Sequence, residues 1–222
     1  GLANNSVAYS EKPDMETFMD EWLSLIKSKS GERGIFNRVA SQKQAAKWGR
    51  RDPNLNYGTN PCSEIILRDK QFCNLTEVVI REEDTQETLL EKVRVATVLG
   101  TFQSTLDKFQ FLSADWHKNT TEERLLGVSL TGIMDSKMMA NPDPKFLEQM
   151  RDEARKTNEK YAKLLDVPVS AAISCIKPSG TVSQLASCSS GIHSRHSPYY
   201  IRTVRTDKKD ALYEFLKEKG VP

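Results

Sequence analysis

The sequence predicts an α/β fold whose strands pair mainly in parallel, and three observations support this class. Amphipathic helical patterns alternate with short apolar runs typical of buried strands. Turn signals separate these segments at short intervals, and no internal repeat is apparent. The chain has 222 residues, of which 38% are hydrophobic and 28% charged, so it is long and apolar enough to bury a core.

The elements of the first half follow from local patterns. Residues 3–9 form a plausible short strand, and a helix follows Pro13. The apolar positions of this helix recur at spacings of three and four: Phe18, Trp22, Leu25 and Ile26. It is predicted to end at Gly31 and Gly34. Ser41 and Gln44 form a capping-box pattern, which predicts a short basic helix running towards residue 49. Residues 50–59 are polar and turn-rich, and they form a loop that leads into residues 60–79.

In the second half, residues 85–109 predict the longest helix. Residues 124–131 form a buried strand, with a helical interpretation left open, and a helix follows towards residue 140. Residues 143–165 form a helix, and residues 171–177 form a buried strand that stops at Pro178. A strand over 199–204 and a final helix over 210–219 complete the series. The chain lacks an initiator Met, so we expect residues 1–222 to be one partial domain, truncated at both ends.

Composition excludes several classes of partner. The 32 basic and 30 acidic residues leave a formal charge of +2, which predicts neither a nucleic-acid nor a membrane partner. No apolar run approaches the roughly 20 residues that span a bilayer, and a signal peptide is not apparent, so a cytoplasmic location is expected. Four cysteines are too few for a disulfide scaffold, and no two of them have the tight spacing of a structural zinc site. We therefore predict no metal site.

The string GTNPCSEI places an amide, a thiol and a carboxyl group at Asn60, Cys62 and Glu64. In an extended segment these alternate residues point the same way. An amide holds a hydroxyl, a carboxylate takes its proton, and a thiol between them acts on the carbon that bears it. Such a set suits a diol. The alternative is an ordinary turn into a strand, with Cys62 as a small apolar residue.

Cys73 lies eleven residues further on, in the string FCNL. Two thiols joined by one loop can be brought together and oxidised during turnover. This pairing favours redox chemistry over the plain turn.

The string KPSGTVSQLA at residues 177–186 follows a buried strand and opens a helix. Free backbone N–H groups at such a turn, with the hydroxyls of Ser179, Thr181 and Ser183, suit a phosphate. The string lacks the ending of a Walker A loop. A capped helix after a strand-to-helix turn is the alternative.

At these strings the sequence resembles the large catalytic subunit of ribonucleotide reductases, most closely the adenosylcobalamin-dependent (class II) ribonucleoside-triphosphate reductases. The resemblance runs in family order through ANNSVA, GIFN, GTNPCSEIIL, FCNLTEV, GVSLTGI, KPSGTVSQLA and GIHSRHSPYYIRTVR. Residues 82–107 and 135–165 match only in helical character. The paired NPCSE and FCNL strings, with PSGT downstream, are very specific.

The resemblance implies part of a ten-stranded α/β barrel with a central finger loop that carries the radical cysteine, matched here by Cys62. Asn60 and Glu64 match the residues that hold and deprotonate the ribose hydroxyls, and Cys73 matches one member of the redox pair. In the family, the partner of that pair lies upstream of this segment. Substrate phosphate is expected at the matched phosphate loop, which consists of Pro178, Ser179, Gly180, Thr181 and Val182. Asn5 and Ser6 match residues of a family strand that lines the substrate side.

The resemblance also implies a cofactor and partners. The cofactor is adenosylcobalamin, the substrate a ribonucleoside tri- or diphosphate, and the reductant a thioredoxin-type dithiol. Two other interpretations remain: an iron-dependent class I large subunit, and a nucleotide-binding barrel without turnover. Tyr199 and Tyr200 are interpreted as core tyrosines, and His193 and His196 as surface or satisfied histidines. Cys175 and Cys188 are interpreted as small buried residues.

Overall fold

The fold is described from a computed structural model that covers residues 6–29, 33–47, 49–201 and 205–221. The strands are β1 (Val7–Tyr9), β2 (Ile35–Asn37), β3 (Gly58–Thr59), β4 (Ile66–Leu67), β5 (Asn74–Val79) and β6 (Leu126–Thr131). The helices are α1 (Met15–Ser28), α2 (Arg38–Ala46), α3 (Gln86–Gln103), α4 (Ala114–Glu123), α5 (Lys137–Ala140), α6 (Pro144–Leu164), α7 (Thr181–Leu185) and α8 (Ala211–Glu218).

Parallel pairing dominates, as the sequence predicts. β1 pairs with β2, and β5 pairs in parallel with β6 over the full length of both strands. The segment 172–175 lies on the other side of β6, with a parallel bridge between Val128 and Ser174. A hydrogen bond from the Cys175 N–H to the Val128 carbonyl supports this third position. β6 is therefore the middle of three parallel segments, and the α/β class is confirmed.

The main core lies between this sheet and the two long helices. α3 follows β5 and α6 follows β6, so each covers the sheet on a crossover between parallel strands. The buried apolar residues come from all of these elements: Val78, Leu89, Val93, Leu126, Val128, Phe146, Met150 and Ile173. Asn158 joins α6 to α3 through a hydrogen bond of 3.0 Å to the Thr101 hydroxyl. The apolar core and this hydrogen bond hold the two helices against the sheet, and the candidate site lies at an edge of that sheet.

The helix starts show why local patterns located the long helices well. Thr85 caps α3 in a reciprocal pair with Thr88, and Asp143 caps α6 with Pro144 in its first turn. α2 differs from expectation, because it begins at Arg38 and its cap is the Asn37 side chain, which accepts from the Ala40 N–H. The Ser41 capping pattern was wrong. The helix begins earlier than predicted because Asn37, at the end of β2, has the extended backbone of an N-cap residue.

Two strand predictions also need correction. Residues 171–177 form only the isolated bridge at Ser174, since no further strand pairs with that segment among the described residues. Residues 199–201 are not a strand, and residues 202–204 lie outside the described residues. Tyr199 is 92% exposed and Tyr200 53% exposed, so neither is a core tyrosine here. Among the helices that the structure describes, none is long and apolar enough to cross a membrane.

Candidate active site on the finger loop

The string GTNPCSEI and the two residues after it, Ile66 and Leu67, form a tight hairpin over residues 58–67, called the finger loop below. β3 and β4 pair antiparallel at its base, and the Ser63 N–H donates to the Asn60 carbonyl at 3.0 Å. Ser63 has a φ of 64°, which turns the chain back on itself. The Asn60 side chain closes the loop by accepting from the Ile65 N–H at 3.0 Å. Cys62 is therefore exposed at the tip.

This turn changes one detail of the sequence argument. Pro61 and Cys62 are turn residues, so the side chains of Asn60, Cys62 and Glu64 do not alternate along a strand. Glu64 instead folds back, and its side chain is only 5% exposed. The hairpin thus presents a thiol outwards and keeps a carboxylate inside.

Buried charges anchor the base of the finger loop. Arg51 and Glu123 form an ion pair of 2.8 Å, with both side chains 7% exposed. Arg51 also donates to the Ile66 carbonyl at 3.0 Å, and Gln71 donates to Glu123. Because a broken buried pair leaves an uncompensated charge, these contacts hold β4 firmly against α4. Because the base of the loop is held in this way, the position of Cys62 at its tip is also restricted.

Glu64 is held by a cation from a distant part of the chain. The Lys177 Nζ lies 2.7 Å from the Glu64 Oε1, across 113 residues of sequence. Burial acts to raise the pKa of Glu64, but hydrogen bonds from Lys177 and Asn60 outweigh it, so the pKa is lowered from its usual value. The Glu64 Oε2 is buried and has no hydrogen-bond partner. One oxygen of an ionised carboxylate is therefore left to accept a proton.

Two further thiols meet over the middle strand. A Cβ built on Gly127 would lie 3.0 Å from the Cys175 Sγ and 3.4 Å from the Cys73 Sγ. The two sulfurs therefore lie no further apart than the sum of these distances, 6.4 Å. Burial raises the pKa of Cys73 to about 12 and that of Cys175 to about 11, with Glu64 and other nearby groups adding to the effect. Both thiols are protonated at neutral pH.

The predicted phosphate loop lies directly after Lys177. Pro178, Gly180, Thr181 and Val182 are exposed, and a Cβ on Gly180 would meet nothing within 4 Å. The hydroxyl of Ser179 is already engaged, since it donates to Glu77 at 3.0 Å. Ser183 is likewise buried and donates to the carbonyls of Ser179 and Gly180. The free donors of this loop are thus the Thr181 hydroxyl and backbone N–H groups.

The remaining candidates are the pair Asn5 and Ser6 and the two histidines. Asn5 lies outside the described residues, and Ser6 lies just before β1. Arg38 connects the end of β1 to the residue that precedes the finger loop, since it donates to the Ser10 hydroxyl and to the Tyr57 carbonyl. His193 and His196 are exposed. Within the described part of the chain, no three His, Cys, Asp or Glu side chains form a group that could hold a metal ion.

Sequence reasoning missed three residues of this cluster. Cys175 is not a fully buried small residue, because it is half-buried and faces Cys73, whereas Cys188 is buried as expected. Lys177 was read only as the start of a phosphate string. Glu77 has a buried Oε1 without a hydrogen-bond partner, beside Ser179. Its spacing of four from Cys73 was the available signal, since such residues share a face of a strand.

Comparisons with known proteins agree on one relationship. No family profile matches the chain. The chain is 30% identical over 254 residues to the adenosylcobalamin-dependent ribonucleoside-triphosphate reductase of Lactobacillus acidophilus, and 28% identical over 252 residues to that of Levilactobacillus brevis. Both alignments cover 98% of this chain and 32% of the relative. A probable reductase of the same description from Dictyostelium discoideum is 32% identical over 170 residues, which is 73% of this chain and 21% of that protein.

A solved structure shows the same fold. The crystal structure of a B-12 dependent (class II) ribonucleotide reductase matches with a TM-score of 0.52 and 21% sequence identity. The match covers 85% of this chain and 34% of that one. The chain therefore spans about a third of the length of the curated relatives it matches.

Proposed function

We propose that this chain forms part of the catalytic core of a ribonucleotide reductase, because nearly its whole length is related to the adenosylcobalamin-dependent ribonucleoside-triphosphate reductases. The observation that carries the proposal is the finger loop. It presents an exposed thiol, Cys62, two residues from a buried ionised carboxylate, Glu64. The reaction replaces the ribose 2′-hydroxyl by hydrogen.

Cys62 takes the role of the radical residue. An exposed thiol at the tip of an anchored hairpin can meet both a radical source and a bound ribose, so the described residues fit such chemistry. Adenosylcobalamin, when bound, supplies a radical by homolysis of its cobalt–carbon bond. Cys62 is the residue of this chain that would face it. Its sulfur then removes the 3′-hydrogen of the ribose.

Glu64 takes the role of general base. Its Oε1 is held by Lys177, so the unpartnered Oε2 is the oxygen that accepts the 3′-hydroxyl proton. Asn60 holds the loop through its side-chain oxygen, and its side chain also helps to lower the pKa of Glu64, which favours the ionised carboxylate. We assign Asn60 the orientation of this carboxylate and of the ribose hydroxyls.

Cys73 takes the role of a reducing thiol. The balance requires two thiols for each turnover: the ribonucleotide loses its 2′-hydroxyl as water and gains a hydrogen, while two thiols become a disulfide. Cys73 lies at the start of β5, and its raised pKa keeps it in the protonated form that reduction consumes. A dithiol reductant of the thioredoxin type then reduces the disulfide formed by Cys73 and its partner thiol, by thiol–disulfide exchange.

The 178–182 segment takes the substrate's phosphates, with Asn5 and Ser6 on the ribose side. α7 has only five residues, so its dipole contributes little and the backbone N–H groups of the loop carry the binding. The space above Gly180 is open, which allows an anion to approach the backbone closely. The triphosphate is the favoured substrate, because the relatives are named for it.

The finer fold that we propose is a ten-stranded α/β barrel around this finger loop. The described residues contribute two parallel strands, β5 and β6, and the 172–175 segment that lies parallel to β6, and this order would suit part of a barrel wall. A nucleotide-binding barrel without turnover is disfavoured, because phosphate binding would need neither the exposed thiol nor the buried carboxylate. An iron-dependent class I subunit is disfavoured by the names of the relatives.

The test is reduction of ribonucleoside triphosphates by the intact protein with a dithiol reductant, with and without adenosylcobalamin. Cys62→Ser is expected to abolish product formation and to leave nucleotide binding intact, since the thiol contributes little to phosphate affinity. Cys188→Ser is the matched control, because this buried thiol lies outside the proposed site. Turnover of Cys62→Ser within about tenfold of the wild-type rate would remove Cys62 from the radical role. Turnover without adenosylcobalamin would favour the class I alternative.

A further inference from the structure

We propose that Lys177 is a positioning residue whose ammonium group fixes the Glu64 carboxylate and couples the finger loop to the 178–183 loop. The inference rests on the proposed function, in which Glu64 is the base. Neither the sequence motifs nor the names of the relatives assign a role to this lysine.

The geometry supports one defined contact. The Lys177 Nζ and the Glu64 Oε1 are 2.7 Å apart, a typical length for a charge-assisted hydrogen bond. Glu64 is 5% exposed and Lys177 is 30% exposed, so the pair lies at the inner edge of the site and not on the open surface. Since Lys177 contacts Oε1, the buried Oε2 is the carboxylate oxygen left without a hydrogen-bond partner.

The charge of Lys177 explains how a nearly buried carboxylate stays ionised. Desolvation favours the neutral acid, and a nearby cation reverses this preference. Burial also acts to lower the pKa of Lys177, but its hydrogen bond to Glu64 and the negative charges nearby outweigh burial and raise it. Asn60 acts on Glu64 from its own loop. The other titratable groups around it come from neighbouring segments: Cys73, Cys175, Arg50, Arg51, Arg151 and Arg155.

The backbone around Lys177 makes the contact a link between two loops. The Lys177 N–H donates to the Ser129 hydroxyl at 2.8 Å, which fixes the residue against β6. Two residues later, Ser179 donates to Glu77 of β5. The segment 177–179 therefore holds one carboxylate of the finger loop and one of the sheet. A phosphate bound just after residue 179 would therefore lie at a fixed distance from the Glu64 carboxylate.

The experiment compares Lys177→Met, Lys177→Arg and the control Lys92→Met in the intact protein. Lys92 is a good control because it also pairs with a buried carboxylate, Asp84, at 2.6 Å, but away from the site. The first readout is the Glu64 carboxyl titration by ¹³C NMR, which needs no turnover. The second is the pH dependence of the reduction rate.

Lys177→Met is expected to raise the Glu64 pKa and to move the acid limb of the rate profile upwards by about one pH unit or more. Lys177→Arg should restore most of the wild-type profile, and Lys92→Met should leave both readouts unchanged. An unshifted Glu64 titration in Lys177→Met would overturn the proposal, as would a Lys177→Arg profile like that of Lys177→Met.

Failure of the proposed function gives a different pattern. A wild-type protein that reduces no ribonucleotide would refute the reductase assignment, whereas the NMR titration would still test the contact. If Lys177→Met does not fold, Lys177→Gln keeps a polar donor without the charge, and the same titration shift is required of it.

Discussion

Gly127 lies where the side chains of Leu75, Cys73 and Cys175 converge, so Gly127→Ala is expected to destabilise the protein. The new Cβ would overlap the Cδ2 of Leu75, and it would lie 3.0 Å from the Cys175 Sγ and 3.4 Å from the Cys73 Sγ. The first contact is too close for any real pair of carbon atoms, and the second is tight. Leu75 must therefore change rotamer or the strands must separate slightly.

The magnitude follows from two opposed effects. Overpacking a filled site by one methyl group costs typically about 1 to 3 kcal/mol. Replacing glycine within a strand returns about 0.5 to 1 kcal/mol of backbone entropy. The net expectation is a loss of about 0 to 2.5 kcal/mol in the free energy of unfolding, with a central value of about 1 kcal/mol.

Gly100→Ala provides the matched control within the same chain. Gly100 lies inside α3, and a Cβ there would meet the nearest atoms of Leu126 and Thr76 at 3.6 Å, an ordinary contact. The helix should therefore gain up to about 1 kcal/mol. The two substitutions add the same atoms, but they are expected to change stability in opposite directions.

Urea unfolding of the wild type and both variants measures this difference, with thiol labelling of Cys73 as a second readout. We expect Gly127→Ala to lower the unfolding midpoint and Gly100→Ala to raise it. If Gly127→Ala were as stable as Gly100→Ala, with unchanged labelling of Cys73, then the two thiols would not meet over Gly127 as described.

Three further predictions concern the site. Glu64→Gln keeps the shape of the side chain but removes the base, so the reduction rate should fall by about 10² to 10⁴ while nucleotide affinity is retained; steady-state kinetics and equilibrium binding check this. Cys73 should react with iodoacetamide much more slowly than the exposed Cys62 at pH 8, and its rate should rise until about pH 12, as followed by mass spectrometry. Gly180→Val should weaken binding of nucleotides but not of nucleosides, because the added side chain fills only the open space above the loop; equal weakening of both would indicate a folding defect.

Much of the fold could be predicted from the sequence, because helix periodicity and caps are local signals. α3 and α6 begin within one or two residues of the predicted starts, at caps that the sequence displays. The strand over 171–177 was harder to place. Its apolar residues do lie against β6, but regular strand structure needs hydrogen bonds on both sides of a segment or a longer ladder on one.

Some residues of the candidate site could be predicted from the sequence, and others could be identified only from the fold. Asn60, Cys62 and Glu64 were identified from one short string, and the structure places them on one hairpin. Lys177 and Cys175 come to that hairpin only through the parallel order of β5, β6 and 172–175. No sequence spacing shows a contact across 113 residues, so the residue that holds the proposed base required the fold.

The contrast between the two proposed catalytic thiols has a physical logic. A hydrogen-abstracting thiol must meet its radical source and its substrate, and Cys62 is exposed at the tip of an anchored loop. A reducing thiol must wait for the substrate without reacting first. Thiol–disulfide exchange proceeds through the thiolate, and burial raises the pKa of Cys73 to about 12, so its thiolate is scarce at neutral pH. Cys73 is then protected from stray oxidants until a substrate intermediate draws its proton and electrons directly. Burial, which would disable an ordinary nucleophilic cysteine, therefore suits the reducing role proposed for this one.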